Sequence, residues 1–238
     1  MHDGTGTRLG DRFTEACREA VAVHGDGFRK GTAIPYLSHP LAVASIALEF
    51  GADEDQAIAA LLHDVVEDGG GEKKLEEIRK RFGETVAQIV DALSDAKPAI
   101  GEEKPPWWVR KVEYMDRLRD EDAAVALVCA SDKLHNLRAI RQDQLELGPE
   151  LWDRFATKRR GTLWYYGRLA EILPAILTDG RGSQLAALIV EEYTELLDQI
   201  VDDGREHTGE TDLEAELAEG RAMEELARQE IDPEPKVE

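Results

Sequence analysis

Apolar residues recur at three- and four-residue intervals along almost the whole chain, and nowhere do they alternate with polar ones for the length of a strand. That period belongs to helices that bury one face, so the sequence predicts an all-α fold. The spacing predicts helices over 11–24, 39–50, 53–67, 73–82, 84–94, 106–119, 121–145, 150–177, 184–202 and 212–230. Breaks fall at Gly25 to Pro35, Gly51, Gly69-Gly70-Gly71, Lys97 to Pro106 and Asp179-Gly180, where Gly and Pro interrupt the pattern. Asp53 with Gln56 three residues on predicts an N-cap whose partner reaches back, which fixes the start of the third helix.

At 238 residues the chain suits one domain with an appendage, here expected as 1–180 and a helical, acidic extension over 181–238. A membrane span is not expected, because no run of about 18 apolar residues exists. The start, Met1-His2-Asp3-Gly4, has no basic or apolar leader, so a cytoplasmic location is expected. The net charge of −21 opposes non-specific binding to nucleic acid. That charge is uneven: residues 191–238 hold 18 acidic and 4 basic side chains, a net of −14. The stretch from Asp202 to Glu238 reads as a solvated helix with a frayed end. Cys17 and Cys129 sit among apolar helical residues and read as reduced core thiols. The polar, Pro-rich segment from Lys97 to Pro106 is a candidate lid.

One stretch resists a purely structural reading. Ala60-Leu61-Leu62-His63-Asp64-Val65-Val66-Glu67-Asp68 sets four polar residues in a run that otherwise looks like buried helix. On a continuous helix His63 stacks over Glu67 and Asp64 over Asp68, giving one polar patch flanked by apolar surface. Three acids and a His at that depth repel one another and lose hydration unless a cation offsets them. Two further residues offer ligands: His39, at the opening of a helix, and Asp132, in the middle of the apolar helix that begins Ala123-Ala124-Val125. Alone, His39 reads as a cap and Asp132 as half of a salt bridge to Lys133 or Arg138. Together, His, His-Asp and Asp on three helices supply the mixed nitrogen and oxygen ligands of a divalent ion with positions left for water.

The order His39, His63-Asp64, Asp132 resembles the HD superfamily of metal-dependent phosphohydrolases. The longer strings "FRKGTAIPYLSHPLAVA", "AALLHDVVEDGG", "RFGETVAQIVDALSD" and "ASDKLHNLRAI" resemble the hydrolase domain of RelA/SpoT proteins, which cleave the alarmone (p)ppGpp, from about Asp11 to Leu169. The strand-rich synthetase domain of the long enzymes has no counterpart in the pattern, so the chain resembles the stand-alone small alarmone hydrolases and is expected to degrade and not synthesise. The resemblance implies an HD-domain helical bundle. It implies that His39, His63, Asp64 and Asp132 hold one divalent ion, most often Mn2+, and that Glu67 and Asp68 handle the attacking water. It further implies that Arg29, Lys30 and Asn136 bind the nucleotide, with Lys158-Arg159-Arg160, Thr162 and Tyr166 extending the pocket. The products would be GDP or GTP and pyrophosphate.

Three departures from the family pattern bear on substrate choice. The segment between Lys30 and Pro35 is one residue longer than the common form, Ala139 replaces a usual Thr, and Gly69 replaces the Thr after Glu-Asp. They leave room for (p)ppApp, a nucleoside monophosphate or NADPH as substrate. A non-catalytic nucleotide-binding regulator or antitoxin is disfavoured, because all four ligand positions and both acids are present. The sequence is silent on oligomeric state.

Overall fold

The computed structural model describes residues 6–95, 103–207 and 213–232, with the side chains of 68, 69 and 205–207 outside that description. Residues 97–102, most of the expected lid, therefore lie outside the described residues; 103–106 are exposed and irregular. Among the described residues there are eleven α-helices and no strand. None of these helices is long and apolar enough to cross a membrane.

The first six helices are α1 (Asp11–His24), α2 (Ser38–Glu49), α3 (Glu54–Leu62), α4 (Val65–Gly69), α5 (Gly71–Phe82) and α6 (Glu84–Leu93). They are followed by α7 (Trp107–Arg119), α8 (Ala123–Leu147), α9 (Lys158–Ile176), α10 (Gly180–His207) and α11 (Leu213–Ile231). The centre is built from α3 and α8, with α1, α2 and α6 laid around them. Beyond its polar first turn helix α3 is apolar on every side, and Ala57 through Leu62 are all buried, as a helix enclosed by others must be. Its start carries the expected capping box: Asp53 Oδ1 accepts from Gln56 N at 2.9 Å, and Gln56 Oε1 from Asp53 N at 2.8 Å. Helix α8 starts where Asp122 Oδ1 accepts from Ala124 N and Val125 N, and its residues Val125–Asp132 are all buried.

Three expectations are corrected. The helix expected over 53–67 is not continuous: α3 ends at Leu62, His63 and Asp64 form a turn, and α4 begins at Val65. Gly70 (φ 125°) and Gly71 (φ 61°) then occupy left-handed backbone that lets the chain reverse into α5. The helix expected over 150–177 is a 3-10 segment, Gly148–Arg154, followed by α9. The third correction concerns the acidic end. Helix α11 is not merely solvated; it packs on α7 and α9, with Glu224 and Ala227 buried. Gly220 passes so close to Trp164 that a Cβ there would lie 2.8 Å from the Trp164 Cβ. Glu216 takes both arms of the Arg159 fork at 2.6 and 2.7 Å, and Glu224 accepts the indole N–H of Trp164 at 2.9 Å. The sequence pattern missed this because the acidic residues that read as solvated are partners of Arg159, Arg160, Trp164 and Arg168.

Candidate metal centre

His39 enters from the first turn of α2, His63 and Asp64 from the turn between α3 and α4, and Asp132 from the buried middle of α8. One ligand atom each from His39, His63 and Asp64 lies within 4.8 Å of the others, a set able to hold a metal ion. Asp64 Oδ2 is 3.2 Å from His63 Nε2 and 3.5 Å from His39 Nε2. Asp132 Oδ1 is 3.2 Å from His39 Nε2 and 3.7 Å from His63 Nε2. The break in the helix at His63-Asp64 is what lets neighbouring residues face one point.

The donor atoms suit a cation. His63 Nδ1 sits 2.8 Å from Ala60 O, and a carbonyl only accepts, so Nδ1 carries a hydrogen, and Nε2 is the atom that takes up a second proton or, in the neutral ring, offers a lone pair. That Nε2 is buried and, among the described residues, has no hydrogen-bond partner, although two carboxylates lie beside it. A proton or a metal ion on Nε2 satisfies such an arrangement. In the metal-free protein, burial opposes the charged ring, but Asp64 and Asp132 outweigh it and push the His63 pKa up to about 9. Burial also opposes ionisation of Asp64 and Asp132, yet His63 holds the first carboxyl below its usual range, and Lys133, ahead of the histidines, holds the second well below it.

His39 is oriented from behind. Its Nδ1 is 2.8 Å from His135 Nδ1. Burial, then the charges of His39 and Arg29, lowers the His135 pKa to about 4, so this ring is neutral near pH 7 and one hydrogen is shared across the contact. With the hydrogen on His39, its Nε2 turns a lone pair inward. Asp64 is braced by the Tyr36 hydroxyl, which donates to Oδ2 at 2.6 Å, and Asp132 by Lys133 at 2.6 Å and by Asn136, whose amide donates to Oδ1 at 2.6 Å.

These groups wall a polar cavity of about 200 Å³, which Glu67, Lys111, Tyr114 and Tyr165 also line. Glu67 Oε1 accepts from Asp95 N at 3.0 Å, and Oε2 pairs with Lys104 at 3.3 Å. The Asp68 side chain lies outside the described residues. A second cavity of about 340 Å³, more apolar, is lined by Lys30, Ile34, Ala139, Leu151, Phe155 and Tyr166 among others. Arg29, Tyr36 and Asn136 belong to the walls of both cavities. Arg29 Nη2 donates to Asn136 Oδ1 at 2.7 Å, so a chain of hydrogen bonds runs from Arg29 through Asn136 to Asp132. A short bridge between Phe28 and Pro35 closes the loop that presents Arg29 and Lys30.

The basic run at 158–160 is elsewhere. Lys158 pairs with Asp153, Arg159 with Glu216 and Arg160 with Glu219, so these cations face the 3-10 segment and α11 rather than either cavity. Of that group only Tyr166 lines the second cavity. Sequence reasoning passed over His135, Tyr36 and Lys111. His135 had a signal, since it lies three residues after Asp132 on a helix and so on a neighbouring face. Tyr36 lies within the string that carries the family resemblance, three residues before His39, whereas Lys111 had no signal, because the packing of α7 brings it in.

Residues 16–162 match the model of the family described as HD domain. The chain is 34% identical over 176 residues to a GTP pyrophosphokinase of Streptomyces coelicolor, covering 74% of this chain and 19% of that protein. It is 39% identical over 136 residues to a guanosine-3′,5′-bis(diphosphate) 3′-pyrophosphohydrolase of Aquifex aeolicus, covering 55% and 18%. It thus spans about a fifth of the length of these curated relatives. A solved structure described as a metazoan ortholog of SpoT that hydrolyzes ppGpp superposes with a TM-score of 0.61 at 26% identity, covering 79% of this chain and 98% of that one.

Proposed function

The chain belongs to the HD domain family, and from that premise we propose that it is a metal-dependent phosphohydrolase that removes the 3′-pyrophosphate of (p)ppGpp, releasing GDP or GTP and pyrophosphate. The observation that carries this reading is the sharing of Arg29, Tyr36 and Asn136 between the cavity of the histidine and aspartate cluster and a larger apolar cavity beside it. A nucleoside in the second cavity would have its phosphates in the first.

His39, His63, Asp64 and Asp132 would hold the ion. Imidazole and carboxylate donors without a thiolate suit Mn2+; Cys129 is buried against the Tyr114 hydroxyl at 3.2 Å. A bound divalent ion supplies Lewis acidity toward the phosphoryl oxygen and lowers the pKa of water. Glu67, on the wall of the same cavity, would take the proton of the attacking water, and Asp68 would share that task. Arg29 would pack on the base, Lys30 would meet phosphate, and Asn136 would contact the nucleoside. Lys111 and Lys133, on the polar cavity, would face the negative charge of the pyrophosphoryl group under attack, from which the 3′-oxygen of GDP or GTP departs.

The names and titles of the relatives support guanosine alarmones as substrate class; (p)ppApp is the nearest alternative, since base choice depends on the second cavity. Incubation of metal-stripped protein with ppGpp and with ppApp, with and without Mn2+, followed by ion-exchange separation, tests the reading. GDP and pyrophosphate are expected from ppGpp only when Mn2+ is present. Intact ppGpp alongside turnover of another nucleotide would overturn the substrate, and inertness toward all would overturn the activity.

A further inference from the structure

Asp132, Asn136, Ala139 and Asp143 fall at i, i+4, i+7 and i+11 of α8, a spacing that keeps all four on one helical stripe. Three of them lie on the walls of the second cavity, and Asp132 lies 3.2 Å from His39 Nε2 at the candidate metal centre. The stripe therefore runs about 16 Å along the helix axis, from the candidate metal centre to Asp143. Asp143 Oδ2 pairs with Arg154 Nη1 at 2.7 Å, and both side chains are half-buried in the cavity wall. Among the described residues Oδ1 has no hydrogen-bond donor. Arg154 is held in place from the other side by Gly31: that residue has φ +73°, and a Cβ on it would lie 2.8 Å from Arg154 Nε. The pair is thus a built feature of the cavity, anchored by the same loop that presents Arg29 and Lys30.

We propose that Asp143, steadied by Arg154, reads the purine: its carboxylate accepts from N1–H and the 2-amino group of guanine, while Arg154 donates toward O6. The inference rests on the reading of the second cavity as a nucleoside pocket. Two parallel donors on guanine match two carboxylate oxygens. Adenine presents a bare N1 lone pair at the same place, and xanthine an O2 carbonyl, so both set acceptor against acceptor. Hypoxanthine keeps N1–H and lacks only the amino group.

Calorimetric titration of the full chain in Mn2+ with GDP, IDP, ADP and XDP tests this without turnover. The wild-type protein is expected to bind GDP at least tenfold more tightly than ADP or XDP, with IDP between. Asp143→Asn, whose amide donates to O2 of xanthine and still accepts from N1–H, is expected to lose at least tenfold in GDP affinity and to gain affinity for XDP, an exchange that general damage to the pocket cannot produce. Equal binding of GDP, IDP and ADP by the wild type, or binding of none, would overturn the proposal, as would a uniform loss for all four in a folded variant. Should Asp143→Asn fail to fold, the GDP, IDP and ADP order in the wild type decides alone. GDP selectivity without ppGpp hydrolysis would sink the hydrolase reading and leave the base-reading pair standing; ppGpp hydrolysis without base preference would do the reverse.

Discussion

Replacing Lys133 with Met tests the electrostatics of the site before any substrate is added. Lys133 Nζ lies 2.6 Å from Asp132 Oδ2, and the two side chains are 14% and 9% exposed. Its ammonium also stands over the rings of Tyr165 and Tyr114 at 5.6 and 5.9 Å. Burial alone would weaken its charge, but Asp132 outweighs burial and raises the Lys133 pKa well above the ordinary value, so a full ion pair is present. Removing one member of a buried pair costs about 3–5 kcal/mol, because the other charge stays buried and uncompensated. At about 2–4 °C per kcal/mol for a chain of this size, the metal-free Lys133→Met protein is expected to melt about 6–20 °C below wild type. Met keeps the length and apolar bulk of the Lys stem, so the loss reads charge rather than volume. A divalent ion takes over the missing compensation, so Mn2+ should raise the melting temperature of the variant by more than that of the wild type. Differential scanning calorimetry with and without Mn2+ measures both. A metal-free melting temperature within about 2 °C of wild type, or a smaller Mn2+ shift in the variant, would refute the account of Asp132 as a charged ligand waiting for a cation.

The other predictions concern the supports of the site. His135→Phe removes the ring nitrogen 2.8 Å from His39 Nδ1 and should weaken Mn2+ binding about 10–100-fold by calorimetric titration, with the fold intact by circular dichroism. Glu224→Ala leaves the buried Trp164 N–H without its acceptor and should lower stability by about 1–3 kcal/mol in urea unfolding, with faster proteolysis of the C-terminal end. Asp95 is buried, which opposes its charge, but Lys111 and Arg110, each 2.6 Å away, hold its carboxyl below 3.8. A depressed carboxyl contributes stability above the unfolded value and loses it as pH falls through the folded one. Asp95→Asn should therefore be about 3 kcal/mol less stable than wild type near pH 7, with the gap narrowing below pH 3.8.

The helical class was legible because the apolar period is nearly unbroken, and helices such as α1, Asp11–His24, match the spacing to the residue. The turn at His63-Asp64 was not, because both residues keep right-handed backbone angles and Val65 and Val66 continue the apolar pattern. The missed turn mattered, since it lets adjacent residues converge where a straight helix would splay them. His39, His63, Asp64 and Asp132 stood out as polar residues at apolar positions, and the structure brings them together. Their supports were harder to see. Lys111 and Asp143 are ordinary residues until the chain folds, and His135 and Tyr36 show only as chain neighbours of Asp132 and His39. The acidic end misled for a related reason: charge spacing says nothing of whether Arg159 or Trp164 waits on another helix to meet it.

On the proposed function, four side chains from three segments hold one divalent ion at the phosphate end of a nucleotide cavity. Titrating Mn2+ into metal-stripped protein with ppGpp present, while recording bound metal and pyrophosphate release together, tests it most directly. No release is expected without metal, a rise that saturates at one bound ion per chain is expected with it, and both signals should be lost in Asp132→Ala. Pyrophosphate release that is indifferent to Mn2+, or that survives in Asp132→Ala at the wild-type rate, would contradict it.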